Sequence, residues 1–278
     1  MKLNVLIITL IFSCCIFACN RVRQTGEKQE SAGKVLYAEL TPAEFRKRLR
    51  EAPVAYLPLG TLEWHGEHLP LGSDGIQSYE FFKLLAGEAG GIVLPMLFLG
   101  PDRMKVEDGK ELYGMDWTDH PQDNKYFYDT RQLDGSAYWV PDSAYDQILA
   151  GTLKQLSRAG FKIVVAHGHG PSTGRFIQMI PALEETFGMK LMHCWGHQDG
   201  EGRGIMVDHA AMNETSLVMA LRPELVQMDR LPEDTLQWPV GVAGKDPRIY
   251  ASPELGHEII RIQLERMSEM VKEELGKL

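Results

Sequence analysis

Alternation of short apolar runs with helical segments is the feature that most constrains what this chain folds into. The runs predicted to be strands are Val54–Leu59, Gly91–Leu99, Phe161–Ala166 and Lys190–Cys194. Helical spacing of apolar residues is found between and after them, over Ser73–Gly87, Tyr145–Ala159, Phe176–Phe187, His209–Leu221 and Pro253–Leu278. Strands that alternate with helices in this way are typical of a parallel α/β sheet with helices on both faces.

Length and charge narrow the class of protein further. The chain has 278 residues, of which 44% are apolar and 24% charged, enough for one large domain with a buried core. Its formal net charge is −9. Nucleic-acid binding requires clustered Lys and Arg, so this acidic balance argues against a nucleic-acid partner. It leaves a small-molecule substrate open.

The N-terminus has the features of a targeting segment. Residues 3–17 are almost wholly apolar, but the run is shorter than the ~20 residues that a membrane-spanning helix needs. It ends in Ile16-Phe17-Ala18-Cys19, which resembles a bacterial lipobox, where cleavage precedes a cysteine that carries lipid. We therefore expect residues 1–18 to be a lipoprotein signal peptide and Cys19 to be lipidated. An ordinary signal peptide with an incidental cysteine and an uncleaved anchor are the alternatives.

The remainder of the chain divides into a tether and a domain. Residues 19–34 are polar and have no aromatic side chain, which is typical of a flexible linker. The domain is predicted to span residues 35–278, with a first helix at Thr41-Pro42-Ala43-Glu44, where Thr is the N-cap and Pro the first helical residue. Cys194 would be the one cysteine left in it, so we expect no internal disulfide. The expected location is the bacterial cell envelope, on its periplasmic or outer-surface face, with the N-terminal lipid as the only membrane contact.

Residues 102–138 interrupt the alternation of strands and helices. They combine polar and aromatic side chains with little periodicity, and a loop of this length inside a domain is usually functional or disordered. The aromatic side chains argue against plain disorder. We interpret the segment as the lid of a pocket. Its Trp117 and His120, with Trp139 just beyond it, are candidates to contact a small substrate, although packing is the commoner role of loop aromatics.

The first segment with candidate chemistry, residues 57–74, directly follows a predicted strand. In an extended backbone Glu63 and His65 point to the same side, and the turn residues after them allow Asp74 to approach. Carboxylate and imidazole groups are ligands for Zn, Mn or Fe. A surface loop with incidental charge is the alternative.

Two later segments carry similar side chains. His167 and His169 lie in a glycine-rich turn after a predicted strand, and His209 and Glu214 lie near the start of a predicted helix. The glycines allow a ligand to approach the backbone. A tight turn with a solvent-facing His is the alternative for the first arrangement. Asp208 acting only as a helix N-cap is the simpler interpretation of the second.

Together the three segments resemble one family. LPLGTLEWHGEHLPLGSD, VVAHGHGPSTG and DHAAMNETS are similar, in order and spacing, to the signature segments of the creatininase family (creatinine amidohydrolase and relatives). The resemblance covers roughly Leu57 to Pro223. It implies a three-layer α/β/α fold with a mostly parallel central sheet, often assembled as a hexamer, and two divalent metal ions per active site. A homo-oligomer is therefore expected.

The resemblance also assigns roles to individual residues. It implies that Glu63 binds one ion and His65 the other, that Asp74 bridges both, and that His169 and Glu214 complete the ligand set. His209 matches the catalytic histidine. His167 stands where relatives carry Asn, and we expect it to face the substrate or to support a ligand.

Departures from the family pattern leave the substrate open. Both Asn positions of the second segment are lost, and Pro171 stands where creatininase has a carboxylate. The expected function is hydrolysis of a non-peptide, cyclic amide-like C–N bond by a metal-activated water, with His209 as the proton donor to the leaving nitrogen. A hydrolase of a formamide or lactone, and a non-catalytic binding protein on the same fold, are the alternatives.

Overall fold

The computed structural model describes residues 34–117, 128–194 and 202–278, so the predicted signal peptide, Cys19, nearly all of the tether and His120 lie outside the described residues. In chain order the strands are β1 (Val54–Leu59), β2 (Ile92–Val93), β3 (Met104–Glu107), β4 (Lys110–Tyr113), β5 (Ile163–Gly168) and β6 (Lys190–Met192). The α-helices are α1 (Pro42–Glu51), α2 (Ser73–Ala89), α3 (Asp142–Ala159), α4 (Gly170–Phe187), α5 (Met212–Leu221), α6 (Pro247–Tyr250) and α7 (Pro253–Leu275).

Four of these strands form a parallel sheet in the order β2-β1-β5-β6. The β1 and β5 strands pair over their full length, from Val54 opposite Ile163 to Leu59 opposite Gly168. Every residue of both strands is buried, which explains why each is a nearly continuous apolar run without alternation. The predicted parallel sheet is confirmed.

The two faces of the sheet carry separate cores, because successive strand residues point to opposite sides. Val54 and Tyr56 pack with α2 and α7. Ala55, Leu57 and Leu59 pack with α3 and α4 on the other face. Helices therefore cover both faces of the sheet, and the fold is the predicted three-layer α/β/α arrangement.

The second predicted strand is shorter than expected. Regular pairing covers only Ile92–Val93, and Pro95 then interrupts it because proline has no N–H for the ladder. The chain nevertheless continues beside β1: the Leu97 N–H donates to the Pro58 carbonyl and the Gly60 N–H donates to the Leu97 carbonyl. This course carries residues 98–102 along the carboxyl end of β1.

Part of the segment predicted to be a loop forms a β-hairpin. The strands β3 and β4 pair antiparallel around Asp108 and Gly109, which have φ values of 50° and 75°. An Asp-Gly pair at positive φ is typical of a two-residue hairpin turn. The Asp108-Gly109 pair was therefore a usable sequence signal, and the prediction of an irregular loop was wrong over residues 104–113.

Other helix boundaries follow local sequence chemistry. The capping box at Thr41 is present, with the Glu44 N–H donating to Thr41 Oγ1 at 3.3 Å and the Thr41 N–H donating to the Glu44 carboxylate at 2.7 Å. Two helices start elsewhere than predicted: α4 begins at Gly170 and α5 at Met212. Among the helices of the described residues, none combines the length and apolar character needed to span a bilayer.

Candidate metal centre

Glu63 and His65 lie just beyond the carboxyl end of β1, in an extended segment. The Glu63 N–H donates to the Leu71 carbonyl at 2.9 Å, so the chain folds back on itself between these residues. This return places Asp74 in the first turn of α2, close to His65. All three side chains are buried, which argues against the alternative of a surface loop with incidental charge.

His169 lies at the carboxyl end of the neighbouring strand, β5. The His169 N–H donates to the Leu59 carbonyl at 3.2 Å, which fixes His169 beside the end of β1. The preceding Gly168 has φ of 150°, and a Cβ there would collide with the Leu59 carbonyl oxygen. A side chain at residue 168 is therefore excluded, and strand pairing itself positions His169.

Glu214 approaches from the first turn of α5. Asp208 accepts the Asn213 N–H at 2.7 Å and the Glu214 N–H at 3.0 Å, so its carboxylate binds two N–H groups in the first turn of this helix, although Ala211 holds the N-cap position. Glu214 Oε2 in turn accepts the Ala210 N–H at 2.8 Å. These bonds hold the Glu214 carboxylate at the site. His209 lies in the turn before the helix, which lets it reach the same place as Glu214.

Asp74 is shared between two groups of potential ligands. Its Oδ1 lies 3.1 Å from His65 Nε2, and its Oδ2 lies 2.9 Å from His169 Nδ1. Glu214 Oε2 lies 3.7 Å from the same nitrogen of His65. Glu63 Oε2 lies 3.5 Å from the same nitrogen of His169. The structure thus brings all five predicted ligands together as two sets that meet at Asp74.

Burial makes the protonation of these groups interdependent. Burial and then the nearby Asp102 carboxylate raise the pKa of Glu63 to about 8, and burial followed by Asp74 raises that of Glu214 well above its usual range. Burial alone would lower the pKa of His65, but the carboxylates of Asp74, Glu214 and Glu63 together outweigh it and the pKa rises to about 10. Burial would raise the pKa of Asp74, yet His65 and His169 hold it well below its usual range. The ionised forms of Glu63 and Glu214 are therefore costly at this site unless a cation offsets their burial.

Divalent cations fit this arrangement. Within the described residues, the salt-bridge partners of Glu63, Asp74 and Glu214 are histidines, with no Lys or Arg within 4.0 Å. Two donors that bind one ion at ~2.0–2.2 Å lie roughly 3–3.6 Å apart, close to the separations in both sets. Histidine nitrogens with carboxylate oxygens are the donors that Zn and Mn accept. The residues present therefore suit two ions that share Asp74.

His209 lies against this cluster, and a backbone carbonyl sets the tautomer of its ring. The His209 Nε2 atom lies 2.8 Å from the Trp64 carbonyl oxygen. Because a carbonyl only accepts, Nε2 carries the hydrogen and Nδ1 of the neutral ring carries the lone pair. Burial, and then the charge on His65, lower the pKa of His209 to about 3, which favours this neutral form.

A cavity of about 310 Å³ opens onto the cluster. Its walls include the predicted ligands Glu63, Asp74, His169 and Glu214, together with His209. A further part comes from the segment after β2, which contributes Asp102, Arg103, Gly114, Met115, Trp117 and Tyr128. Trp117 thus lines the cavity as expected, and its ring lies 5.4 Å from the Arg103 guanidinium.

Two residues expected to contact substrate lie elsewhere. His167 is inside β5 rather than in the following turn, and its side chain is fully buried outside the residues that line the cavity. It shares the strand face of Val165, toward α2 and α7. Trp139 stacks on Tyr113 at 4.7 Å and lines a separate depression. The expectation that either residue faces the substrate is therefore not supported by the geometry.

Asp102 is a site residue that the sequence interpretation did not single out. Its Oδ2 lies 3.4 Å from His169 Nε2, and its side chain is 2% exposed. A carboxylate just after an apolar run, at the carboxyl end of a parallel sheet, was the available signal. The polar segment that follows Asp102 hides this signal, because the sequence pattern does not separate Asp102 from it.

Comparisons with known proteins show which sequences and folds this chain resembles. The family model described as creatininase, creatinine amidohydrolase, matches residues 38–107 and 131–271. A creatinine amidohydrolase from Pseudomonas putida is 25% identical, with 86% of this chain and 97% of that protein covered. A manganese form of creatininase superposes with a TM-score of 0.66 at 21% identity, covering 87% of this chain and 99% of that one. A Zn–Zn form of a creatininase variant gives the same TM-score and identity, covering 87% and 98%. The structural likeness shows the shared fold, and since the family model matches most of the sequence, the chain belongs to the creatininase family.

Proposed function

We propose that this protein is a metal-dependent amidohydrolase that cleaves a non-peptide, cyclic amide-like C–N bond in a small molecule. Two divalent ions, Zn or Mn by analogy with the creatininase structures, would be held by Glu63, His65, Asp74, His169 and Glu214. The observation that carries this proposal is the position of Asp74, whose two oxygens face two different histidines. A carboxylate in that position suits a pair of ions better than one.

The ligands and His209 have separate tasks in this proposal. Bound ions supply Lewis-acid polarisation of a carbonyl and a water of lowered pKa at neutral pH. His209, neutral and fixed by Trp64, offers the Nδ1 lone pair, so it accepts the proton that the attacking water releases. The same nitrogen then returns that proton to the leaving nitrogen of the substrate. His209 therefore acts as the expected proton donor in the second step, after it has accepted the same proton in the first.

Substrate choice is expected to depend on residues outside the common family pattern. Residues 108–130 are not matched by the family model, yet they contribute Gly114, Met115, Trp117 and Tyr128 to the cavity wall. The cavity is small enough to limit the substrate to a compact molecule. We infer that this protein cleaves the same class of bond as its family, whereas residues 108–130 select its substrate.

A substrate panel with matched metal states tests the proposed function. The protein is freed of metal, reloaded with Zn or Mn, and assayed on cyclic amides that include creatinine, on formamides and on lactones. Hydrolysis of a cyclic amide that appears with metal and disappears without it supports the proposal. Turnover confined to formamides or lactones would show that the protein hydrolyses that class of bond and not a cyclic amide. Metal binding with tight substrate binding but no turnover of any member would favour a binding protein.

The cellular setting is a separate proposal. We propose that Cys19 is the lipidated N-terminus of the mature protein and anchors it in the cell envelope, supported by Ala18-Cys19 and the polar tether. Cys19→Ala should release the protein from the membrane fraction, and mass spectrometry of the wild-type N-terminal peptide should show the lipid. An unmodified Cys19 would refute it.

We also propose that the protein forms a homo-oligomer. Light scattering measures its mass in solution, and a mass equal to that of one chain would contradict this proposal.

A further inference from the structure

The ring of His169 stands between two carboxylates. Its Nδ1 lies 2.9 Å from Asp74 Oδ2, and its Nε2 lies 3.4 Å from Asp102 Oδ2. Neither His169 Nε2 nor Asp102 Oδ2 has a hydrogen-bond partner among the described residues. Buried polar atoms in native proteins usually have partners, so this facing pair requires an explanation.

We propose that Asp102 is a positioning residue for His169, and that it accepts the Nε2 hydrogen when Nδ1 binds a metal ion. A neutral imidazole has one N–H hydrogen. An acceptor that holds this hydrogen at Nε2 leaves the Nδ1 lone pair for the ion beside Asp74 and Glu63. Carboxylates placed in this way fix the tautomer of a histidine ligand and increase its basicity. The inference rests on the proposed function, since it needs an ion at this position.

The surroundings of Asp102 leave its Oδ2 directed at the histidine. Its other oxygen, Oδ1, accepts the Arg103 N–H at 2.6 Å. Gly114, with φ of 49°, also lies so close to this carboxylate that a Cβ would collide with Asp102 Oδ2 and with Glu63 Oε1. The backbone at the end of β4 thus closes over both carboxylates. A buried carboxylate with one oxygen fixed and one facing His169 is suited to hold that ring.

This arrangement predicts an effect confined to one of the two ions. Asp102 lies beside His169, the residue that also contacts Asp74 and Glu63, whereas His65 and Glu214 form the other set with Asp74. Removing a carboxylate that supports a histidine ligand typically weakens metal affinity by ~10–100-fold. The ion at His169 should therefore weaken, and the ion at His65 should keep its affinity.

Zinc titration of the full-length protein tests this. Metal-free wild type, Asp102→Ala and Asp102→Asn are titrated against a competing chromogenic chelator, and bound zinc is counted by mass spectrometry. Asp134→Asn is the matched control, because it makes the same change at an exposed carboxylate of the same segment. We expect Asp102→Ala to weaken one ion by about 10–100-fold. Asp102→Asn should weaken it less, because its amide oxygen still accepts from Nε2. Asp134→Asn should match wild type.

A spectroscopic measurement on unmutated protein makes the test independent of variant folding. In protein labelled with ¹⁵N at histidine and loaded with zinc, His169 should show a metal-bound Nδ1 and a protonated Nε2. A metal-bound Nε2 would overturn the inference, as would wild-type affinity for both ions in Asp102→Ala. Wild type that binds no zinc would instead refute the proposed function. Two bound ions without hydrolysis would refute the function but leave the role of Asp102 standing.

Discussion

The imidazole ring of His209 stacks on that of His65, with ring centroids 4.3 Å apart and planes inclined by 27°. The hydrogen bond to the Trp64 carbonyl holds the same ring at its edge. Two constraints on a single side chain fix both its position and its tautomer. The proposed proton-transfer group is therefore built against a proposed metal ligand, and its Nδ1 lone pair needs no rearrangement before reaction.

Replacing His209 should separate chemistry from metal binding. His209→Ala is expected to lower kcat by ~10²–10⁴-fold, the usual contribution of a positioned acid–base group, because the Nδ1 lone pair is lost. Both ions should remain, since neither of the two sets around Asp74 uses this residue. The measurements are steady-state kinetics and metal content on the same preparation. If metal were lost together with activity, His209 would be a ligand, an arrangement that its proximity to Glu63 and His65 also allows.

Asp74 and His65 should differ in how much metal their loss removes. Asp74→Ala removes the carboxylate that both sets share, so both ions should dissociate during gel filtration. His65→Ala removes a donor from one set only, so about one ion per chain should stay bound. Elemental analysis of the dialysed proteins distinguishes these outcomes. Equal metal content in the two variants would argue against a shared Asp74.

Removing metal should also lower thermal stability. The pKa values of Glu63 and Glu214 are raised chiefly by burial, so without cations the ionised forms of these two groups are costly in the folded protein. An ion present at a hundred times its Kd stabilises the folded state by ~2.7 kcal/mol. Calorimetry with and without a chelator should show a fall in Tm that added Zn or Mn reverses. An unchanged Tm in a protein shown to have lost its metal would contradict this account.

The sequence predicted the framework well because strand burial and strand order depend on local patterns. β1 and β5 are continuous apolar runs, and the ends of parallel strands meet at one edge of the sheet, so Glu63, His65 and His169 were expected to converge. Side-chain direction at a strand end was harder to predict. β5 ends at Gly168 and not at the predicted Ala166. His167 therefore lies in the sheet and not in a turn, and its side chain is buried.

Contacts distant in sequence limited what was predicted within residues 102–138. The Asp108-Gly109 turn was a local signal, but the approach of Gly114 to Glu63 depends on how the whole segment folds. The same holds for Trp139, whose stacking on Tyr113 pairs the end of the segment with β4. Aromatic character alone did not distinguish a residue of the cavity wall from one that packs within the segment.

Trp117 and Trp139 should therefore respond differently to substitution. Trp117 lines the cavity, so Trp117→Leu is expected to raise KM for the substrate found in the panel by about tenfold, equivalent to ~1.4 kcal/mol. Trp139→Leu makes the same chemical change away from the cavity and should leave KM near the wild-type value. Both variants should keep two ions. A larger effect on KM at Trp139 than at Trp117 would show that the cavity wall is wrongly assigned.

The paired histidines of β5 provide the last prediction. His169 faces Asp74 and Glu63 with one ring nitrogen, so His169→Ala should cost metal affinity and activity together. His167 lies two residues earlier in the same strand and is fully buried outside the cavity wall. Its pKa is lowered to about 3 by burial and then by His193, so the buried ring is neutral.

His167→Asn, which restores the residue common in relatives, should therefore keep both ions and leave KM unchanged. Its expected cost is in stability, about 1–3 kcal/mol, because a smaller side chain leaves part of a buried site unfilled. Metal content, KM and chemical denaturation of both variants provide the comparison. Loss of metal in His167→Asn with retention in His169→Ala would show that the alignment of this strand with the family is displaced by two residues. A changed substrate preference in His167→Asn would instead show that this ring acts on the cavity through the residues that separate them.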